Sequence, residues 1–456
     1  MKTRNMTEGS PLKLLLAVAF PLMLGNVFQQ LYTVVDAQVV GVVEGVSALA
    51  ALGSSDWFLW LFTGMVQGFA QGFSIPMAQA FGANDIKALK KSVGNAVTLT
   101  AMVGVLSGLV GILAIAPVHD LLSMPVEIRP ISRQYLTVIF AGLPIFMAYN
   151  LLGGILRSLG DGKTPLFAMV IASLVNIGLD LLFVVVFRWG VIGAAVATVI
   201  AQLGSCLFCI SRLRQLPMVH PSREDFRLTR AMAGKQMRLS LPIAAQNVII
   251  AVGGMFVQSI VNGMGVAFIA GYTATNKLYG ILEIAAVSYG YAVSTYAGQN
   301  LGAKKPDRIR KGVHAAVLAG VLTAALIGGL MLLFGHHIVG SFLSGEPGEV
   351  AEALKVAVEF LHIMAACLPL LYLLYIYRAA QQGMGNTLMP MLSGFVELFM
   401  RIGAAILLPG LIGYSGLFWA EVLAWIGADL LLMPSYYALL GKTQRQCALD
   451  ADLQAE

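Results

Sequence analysis

Hydrophobic residues in this chain do not alternate with polar ones; they come in long runs. Residues 14–35, 57–75, 96–117, 166–187, 190–210, 241–261, 313–334 and 402–425 are almost wholly apolar. A helix rises 1.5 Å per residue, so about 20 such residues cross the hydrocarbon layer of a membrane. The pattern predicts twelve helices, at 12–41, 48–75, 92–117, 131–156, 165–187, 190–211, 239–263, 267–298, 309–336, 351–380, 387–408 and 412–440. Composition agrees. Of the 456 residues, 58% are hydrophobic and 11% charged, whereas a soluble domain carries about 25% charged residues. The expected fold class is an all-α membrane protein with twelve transmembrane helices in two pseudo-symmetric six-helix bundles.

The formal net charge is +6, a balance that in a soluble protein would suggest nucleic acid. Its placement gives another reading. With the amino terminus in the cytoplasm, cytoplasmic segments hold twenty-three Lys and Arg and outer segments four, with Lys277 and Arg401 left inside helices. The positive-inside rule then fixes both termini in the cytoplasm. The expectation is a multi-pass protein of a prokaryotic cytoplasmic (inner) membrane, with no nucleic-acid partner. No cleavable signal peptide is expected, since "FPLMLGNVFQQ" lacks a small-residue cleavage pattern. Cys206, Cys209 and Cys367 fall in apolar helices and Cys447 in the tail, so no disulfide framework is expected.

The two halves repeat. "QAFGANDIKALKKSVGNAV" at 79–97 answers "QNLGAKKPDRIRKGVHAAV" at 299–317, an offset of 220. At an offset of 225, Pro144, Gly160 and Pro165 match Pro369, Gly385 and Pro390. "FPLMLGNV" at 20–27 answers "LPIAAQNV" at 241–248. The chain thus divides into a bundle at 1–211, a basic cytoplasmic linker at 212–238, a second bundle at 239–440 and a cytoplasmic tail at 441–456. An even number of helices per half gives both halves one orientation, and transporters built from such repeats place their sites near mid-membrane.

A charge at the bilayer centre costs at least ~2.5–3.5 kcal/mol, so each one needs a reason. Asp36 lies near the end of the first helix, Asp180 eight residues before Arg188, and Thr198 eight residues after Gly190. All three fall about 9–12 Å below the outer surface at 1.5 Å per residue. Asn176 shares a helix face with Asp180 at a spacing of four. Two carboxylates, an amide and a hydroxyl on three helices form a hard-oxygen set suited to Na⁺ or H⁺, with no soft ligand for a transition metal. Two neighbouring carboxylates cannot both ionise cheaply, so one holds a proton or a cation lies between them. Asp36, Asn176, Asp180 and Thr198 are the candidate coupling-ion site.

The second half departs from this pattern. Arg401 and Ala405 stand where the repeat would place a second Asn and Asp. Glu397, one turn before Arg401, is expected to pair with it as a brace, and Glu283 is a candidate cavity acid. The two Gly-Lys-Thr stretches, 162–164 and 441–443, lack the leading glycine of a phosphate-binding loop. No nucleotide or other cofactor is expected, and no nucleophile or acid–base pair points to an enzyme.

Together, "YTVVDAQVVGVVEGVSALAALG" (32–53), "QAFGAND" (79–85), "LGDGKTP" (159–165), "VNIGLD" (175–180) and Pro21 resemble the multidrug and toxic compound extrusion (MATE) family across essentially the whole chain. The acidic residue in helix 1 and the Asn-x-x-x-Asp pair in helix 5 are similar to its prokaryotic DinF-like branch. The resemblance implies a monomeric antiporter expelling lipophilic, cationic compounds in exchange for H⁺ or Na⁺ by alternating access. It adds Asn150 and Tyr135 to the coupling site and makes Pro21 a conformational kink. Four turns separate Tyr135 from Asn150, so both reach one ion only through a steep helix tilt or a water chain. An alternative within transport is a flippase for lipid-linked or polyanionic substrates of a related superfamily. That would need several intramembrane cations, and the sequence places two there.

Overall fold

A computed structural model describes residues 3–121, 124–343 and 347–455. The hydrophobic segments become helices in the expected order. Helices α1 (Pro11–Glu44), α2 (Val46–Gly82) and α3 (Ile86–Leu121) precede a broken pair, α4 (Arg129–Ala141) and α5 (Leu143–Ser158). Next, α6 (Lys163–Asp180) runs straight into a π-helical segment, Leu181–Val186, and α7 (Gly190–Leu213) follows. The second set is α8 (Arg230–Val261), α9 (Val266–Gly302), α10 (Pro306–Gly340), α11 (Pro347–Gly383), α12 (Leu388–Leu407), the short α13 (Pro409–Ile412) and α14 (Ser415–Ala455).

Nine of these helices are long and apolar enough to cross a membrane among the described residues, or ten when α4 and α5 count as one bent span. The other two long helices, α2 and α9, have 37 residues each. They reach far enough but are more polar, with Ser, Gln and Gly throughout α2 and Thr275, Asn276, Lys277, Glu283 and Ser288 along α9. Both are the second helix of their half. The single helix expected at 131–156 is instead bent by 45°. Gly142 lies at the break and Pro144 follows it; proline lacks the amide hydrogen and crowds the preceding turn. Helix α14 also carries on through 441–455, and α8 already begins at Arg230.

The outer faces suit a hydrocarbon solvent. Leu318, Leu322, Leu326 and Leu333 are all exposed along α10. A soluble helix would bury such a stripe.

The chain forms two compact units, Met1–Asn5 with Phe20–Val248 and Met6–Ala19 with Ile249–Glu456. In the first unit, Phe58 meets Phe62 and Phe140 edge-to-face at centroid distances of 5.3 and 5.1 Å. Gly104 and Gly108 let the backbones touch here: a methyl group on them would come within 2.9 Å of Pro144 Cα and 2.6 Å of the Phe140 carbonyl. Asn95 pins the linker by donating to the carbonyls of Asp225 (2.8 Å) and Arg227 (3.2 Å). In the second unit, Phe360 stacks on Tyr272 and Phe418 at 4.9 and 4.7 Å. The strand of chain before α1 is also fixed there, where Met6 donates its amide hydrogen to Gln299 at 2.7 Å.

The internal repeat is visible in the turns. Asn84 and Lys304, 220 residues apart, are non-glycine residues in the left-handed region, at φ 55° and 54°. Each closes its helix with the same bond, from Ala83 to Gln79 and from Ala303 to Gln299, both 3.0 Å. Gly160 and Gly385 repeat the match at φ 74° and 86°.

Candidate ion-coupling site

Three helices of the first unit each carry a pair of polar residues four apart, and so on one face. They are Tyr32 and Asp36 on α1, Asn176 and Asp180 on α6, and Thr198 and Gln202 on α7. Asn176 and Asp180 are 1% and 0% exposed, and Asp36, Tyr32 and Gln202 are also buried. Asn176 donates to the Thr198 hydroxyl at 3.3 Å, and that hydroxyl donates to the Ala194 carbonyl at 3.0 Å. The Tyr32 hydroxyl lies beside Gln29 and Gln202 and in the field of Asp36 and Asp180. Asp180 also lies in the field of Asp36. Their levels on the helices agree: Asp36 is eight residues before the end of α1, and Thr198 eight after the start of α7.

Local structure explains the placement. Trp189 stacks on Phe183 at 4.9 Å, closing the tight turn from the π segment into α7. Arg188 and Gly190 at φ 56° and 59° complete it. Asp180 is the last residue before the π-helical turn, where Phe187 bonds back to Leu182 at 2.9 Å. π-Helical insertions are costly and concentrate at functional sites.

The site is short of hydrogens. Asp36 Oδ1, Asn176 Oδ1, both oxygens of Asp180 and Gln202 Oε1 are buried without a hydrogen-bond partner. Every one is an acceptor, and leaving such a group unpaired costs ~1–3 kcal/mol. The shared deficit is of positive charge. A proton or a hard monovalent cation would answer it, and the all-oxygen donor set fits either one.

Of the four residues read from spacing, Asp36, Asn176 and Asp180 are buried and Thr198 is half-buried, on three helices of one unit, and Tyr135 lies near them. It is buried on α4 with its hydroxyl in the field of Asp36 and Asp180. Asn150, beyond the α4–α5 bend, donates its amide hydrogen to Phe146 on its own helix at 2.9 Å. Tyr32 and Gln202 escaped the sequence reading. Their signal was the spacing that singled out Asn176 and Asp180, applied to α1 and α7. Pro21 lies inside α1, which stays helical through it.

The second unit corrects two expectations. Glu397 does not pair with Arg401 along α12. Arg378 of α11 donates to Glu397, while Arg401 pairs with Glu421 of α14 at 2.8 Å. Neighbouring helices offered each charge a better-directed partner than one turn of its own helix. Arg378, counted with the cytoplasmic charges in the sequence, is buried. Glu283 accepts a hydrogen bond from the Tyr375 hydroxyl, and Lys277 is exposed on α9. The four cysteines are free.

Comparison with known proteins places this arrangement. The MatE family profile matches residues 21–182 and 242–407, one stretch in each half. The probable multidrug resistance protein YoeA of Bacillus subtilis is 28% identical over 443 residues, covering 93% of each chain. Two solved structures described as MATE in the bent and in the straight conformation superpose with TM-scores of 0.89 at 21% identity. Each covers 98% of this chain, and 100% and 99% of its own. The fold is that of an all-α membrane protein with twelve helices in two bundles, and the chain is a membrane transporter, not an enzyme, of the MatE family.

Proposed function

We propose that this protein is a secondary active antiporter that exports cationic, amphipathic compounds in exchange for H⁺ or Na⁺ by alternating access. One observation carries the reading: five buried acceptor oxygens without donors on Asp36, Asn176, Asp180 and Gln202. A group that is only braced would have found its hydrogens within the fold. Here the missing positive charge must come from solution, which is what coupling requires. Tyr32, Tyr135 and Thr198 complete the site, and Asn150 belongs to its approach. Names such as multidrug resistance and multidrug export among relatives support the class of substrate.

Filling the site removes the repulsion between Asp36 and Asp180, so the empty and loaded states differ in local charge. Pro21 on the same helix as Asp36 offers a place for that difference to bend α1. The transporter acts as a monomer in the cytoplasmic membrane with both termini inside, and no nucleotide or nucleic acid takes part. The flippase reading loses ground, because Arg378 and Arg401 are already committed to Glu397 and Glu421.

The test compares Asp36→Asn and Asp180→Asn with wild type for gradient-driven efflux, beside a binding assay for the exported cation. Loss of driven efflux in both, with folded protein, is expected. Full efflux in both would refute the assignment.

A further inference from the structure

We propose that Asp429 is a second proton-exchanging carboxylate, built into the second unit and reached from the amino-terminal end of α10 through His314, Tyr437 and Tyr377. Its role in transport rests on the antiport reading above; its titration stands independently.

Asp429 lies in the first half of α14, 5% exposed, and neither carboxylate oxygen has a hydrogen-bond partner. A polar cluster between the same two helices is satisfied. Gln381 of α11 donates to the Leu432 carbonyl at 3.0 Å and accepts from Ser435 at 3.1 Å. A carboxylate left bare beside a completed clamp is not a brace. It holds a proton, or lacks one at high cost.

The charged groups facing Asp429 come from the helices packed on α14. Arg378 of α11 and Glu397 of α12 both act on it electrostatically. Arg378 spends one arm on Glu397 and Ser393, and its Nε is unpartnered. Farther out on α12 and α14, Arg401 and Glu421 neutralise each other. With Asp429 protonated the Arg378–Glu397–Asp429 group is neutral; with Asp429 ionised it carries one negative charge that the same guanidinium faces.

A line of hydroxyls leads toward this group. His314 on α10 is exposed and lies 3.3 Å from the Tyr437 hydroxyl. That hydroxyl lies 3.3 Å from the hydroxyl of the buried Tyr377, which is in the field of Asp429. The step is a proton transfer alone. The Asp429 O–H breaks and its proton crosses to Tyr377 by way of a bridging water, since no direct hydrogen bond joins the two; Tyr377 passes its own proton to Tyr437, and Tyr437 delivers one to the His314 ring nitrogen. No other bond changes. The distribution of Lys and Arg assigns this end of the chain's helices to the cytoplasm.

Infrared difference spectra between acid and alkaline pH, on the full-length protein in liposomes, test the proposal. The wild type is expected to lose carboxylic-acid C=O intensity in two components. Asp429→Asn should remove one, and Asp36→Asn with Asp180→Asn the other. In Asp429→Glu the component should shift in frequency, which covers the case where the amide variant does not fold. Tyr377→Phe should keep the component and slow its disappearance after an alkaline jump. A full wild-type spectrum in Asp429→Asn, or an unshifted one in Asp429→Glu, would overturn the proposal. If only the Asp429 component is present, the first-unit site fails and this one stands.

Discussion

At the scale of single residues, the buried charges fall into two kinds. Arg401–Glu421 and Arg378–Glu397 are closed pairs; Asp36, Asp180 and Asp429 carry buried oxygens without a partner. Removing one member of a closed pair leaves a buried unpaired charge and costs ~3–5 kcal/mol. Glu397→Gln is therefore expected to lower the thermal midpoint clearly, and adding Arg378→Met should restore much of it; a melting series on the single and double variants decides. The opposite holds for Asp180→Asn, which removes a charge the fold does not pair. Its stability should stay at or above wild type while driven efflux disappears. Lower stability with intact efflux would contradict this. The bare group was legible in the sequence because Asn176 and Asp180 interrupt an apolar helix at one-turn spacing. The paired group was misread, since partners on α11 and α14 are distant in sequence and the i, i+4 rule sees only its own helix.

At the scale of elements, the spans were legible because a membrane helix must be apolar for about 20 residues. What sequence did not show were the departures from regularity. Periodicity runs across a bend without changing, so the 45° break at Gly142 and the π segment after Asp180 left no trace in hydropathy. Deleting one residue from 181–186 should return the segment to α-helix. Coupling should fail and the protein should not be less stable, as efflux and melting measured together would show; retained coupling would mean the π turn plays no part. The Gly104–Gly108 face of α3 predicts a different outcome. Gly108→Leu forces apart backbones that touch at Phe140, and such overpacking costs ~1–3 kcal/mol. Thermal stability in detergent should drop accordingly, and an unchanged midpoint would contradict the close contact.

At the scale of the whole molecule, the two halves repeat in their turns and differ in their buried polar residues. Matching left-handed turns at Asn84 and Lys304, and at Gly160 and Gly385, keep the two units alike where helices end. Inside them the polar residues differ: Asn176 and Asp180 correspond to Arg401 and Ala405. The repeat was readable because turn geometry restricts residue choice. The candidate site fell in the first half because Asn176 and Asp180 stand there, where the second half has Arg401 and Ala405. The central claim is that ion coupling resides in the first unit. The direct measurement is efflux of a fluorescent lipophilic cation from proteoliposomes under an imposed pH or Na⁺ gradient, wild type beside Asp180→Asn. The account predicts gradient-driven flux in the wild type and its loss in the variant; equal flux in both would contradict it.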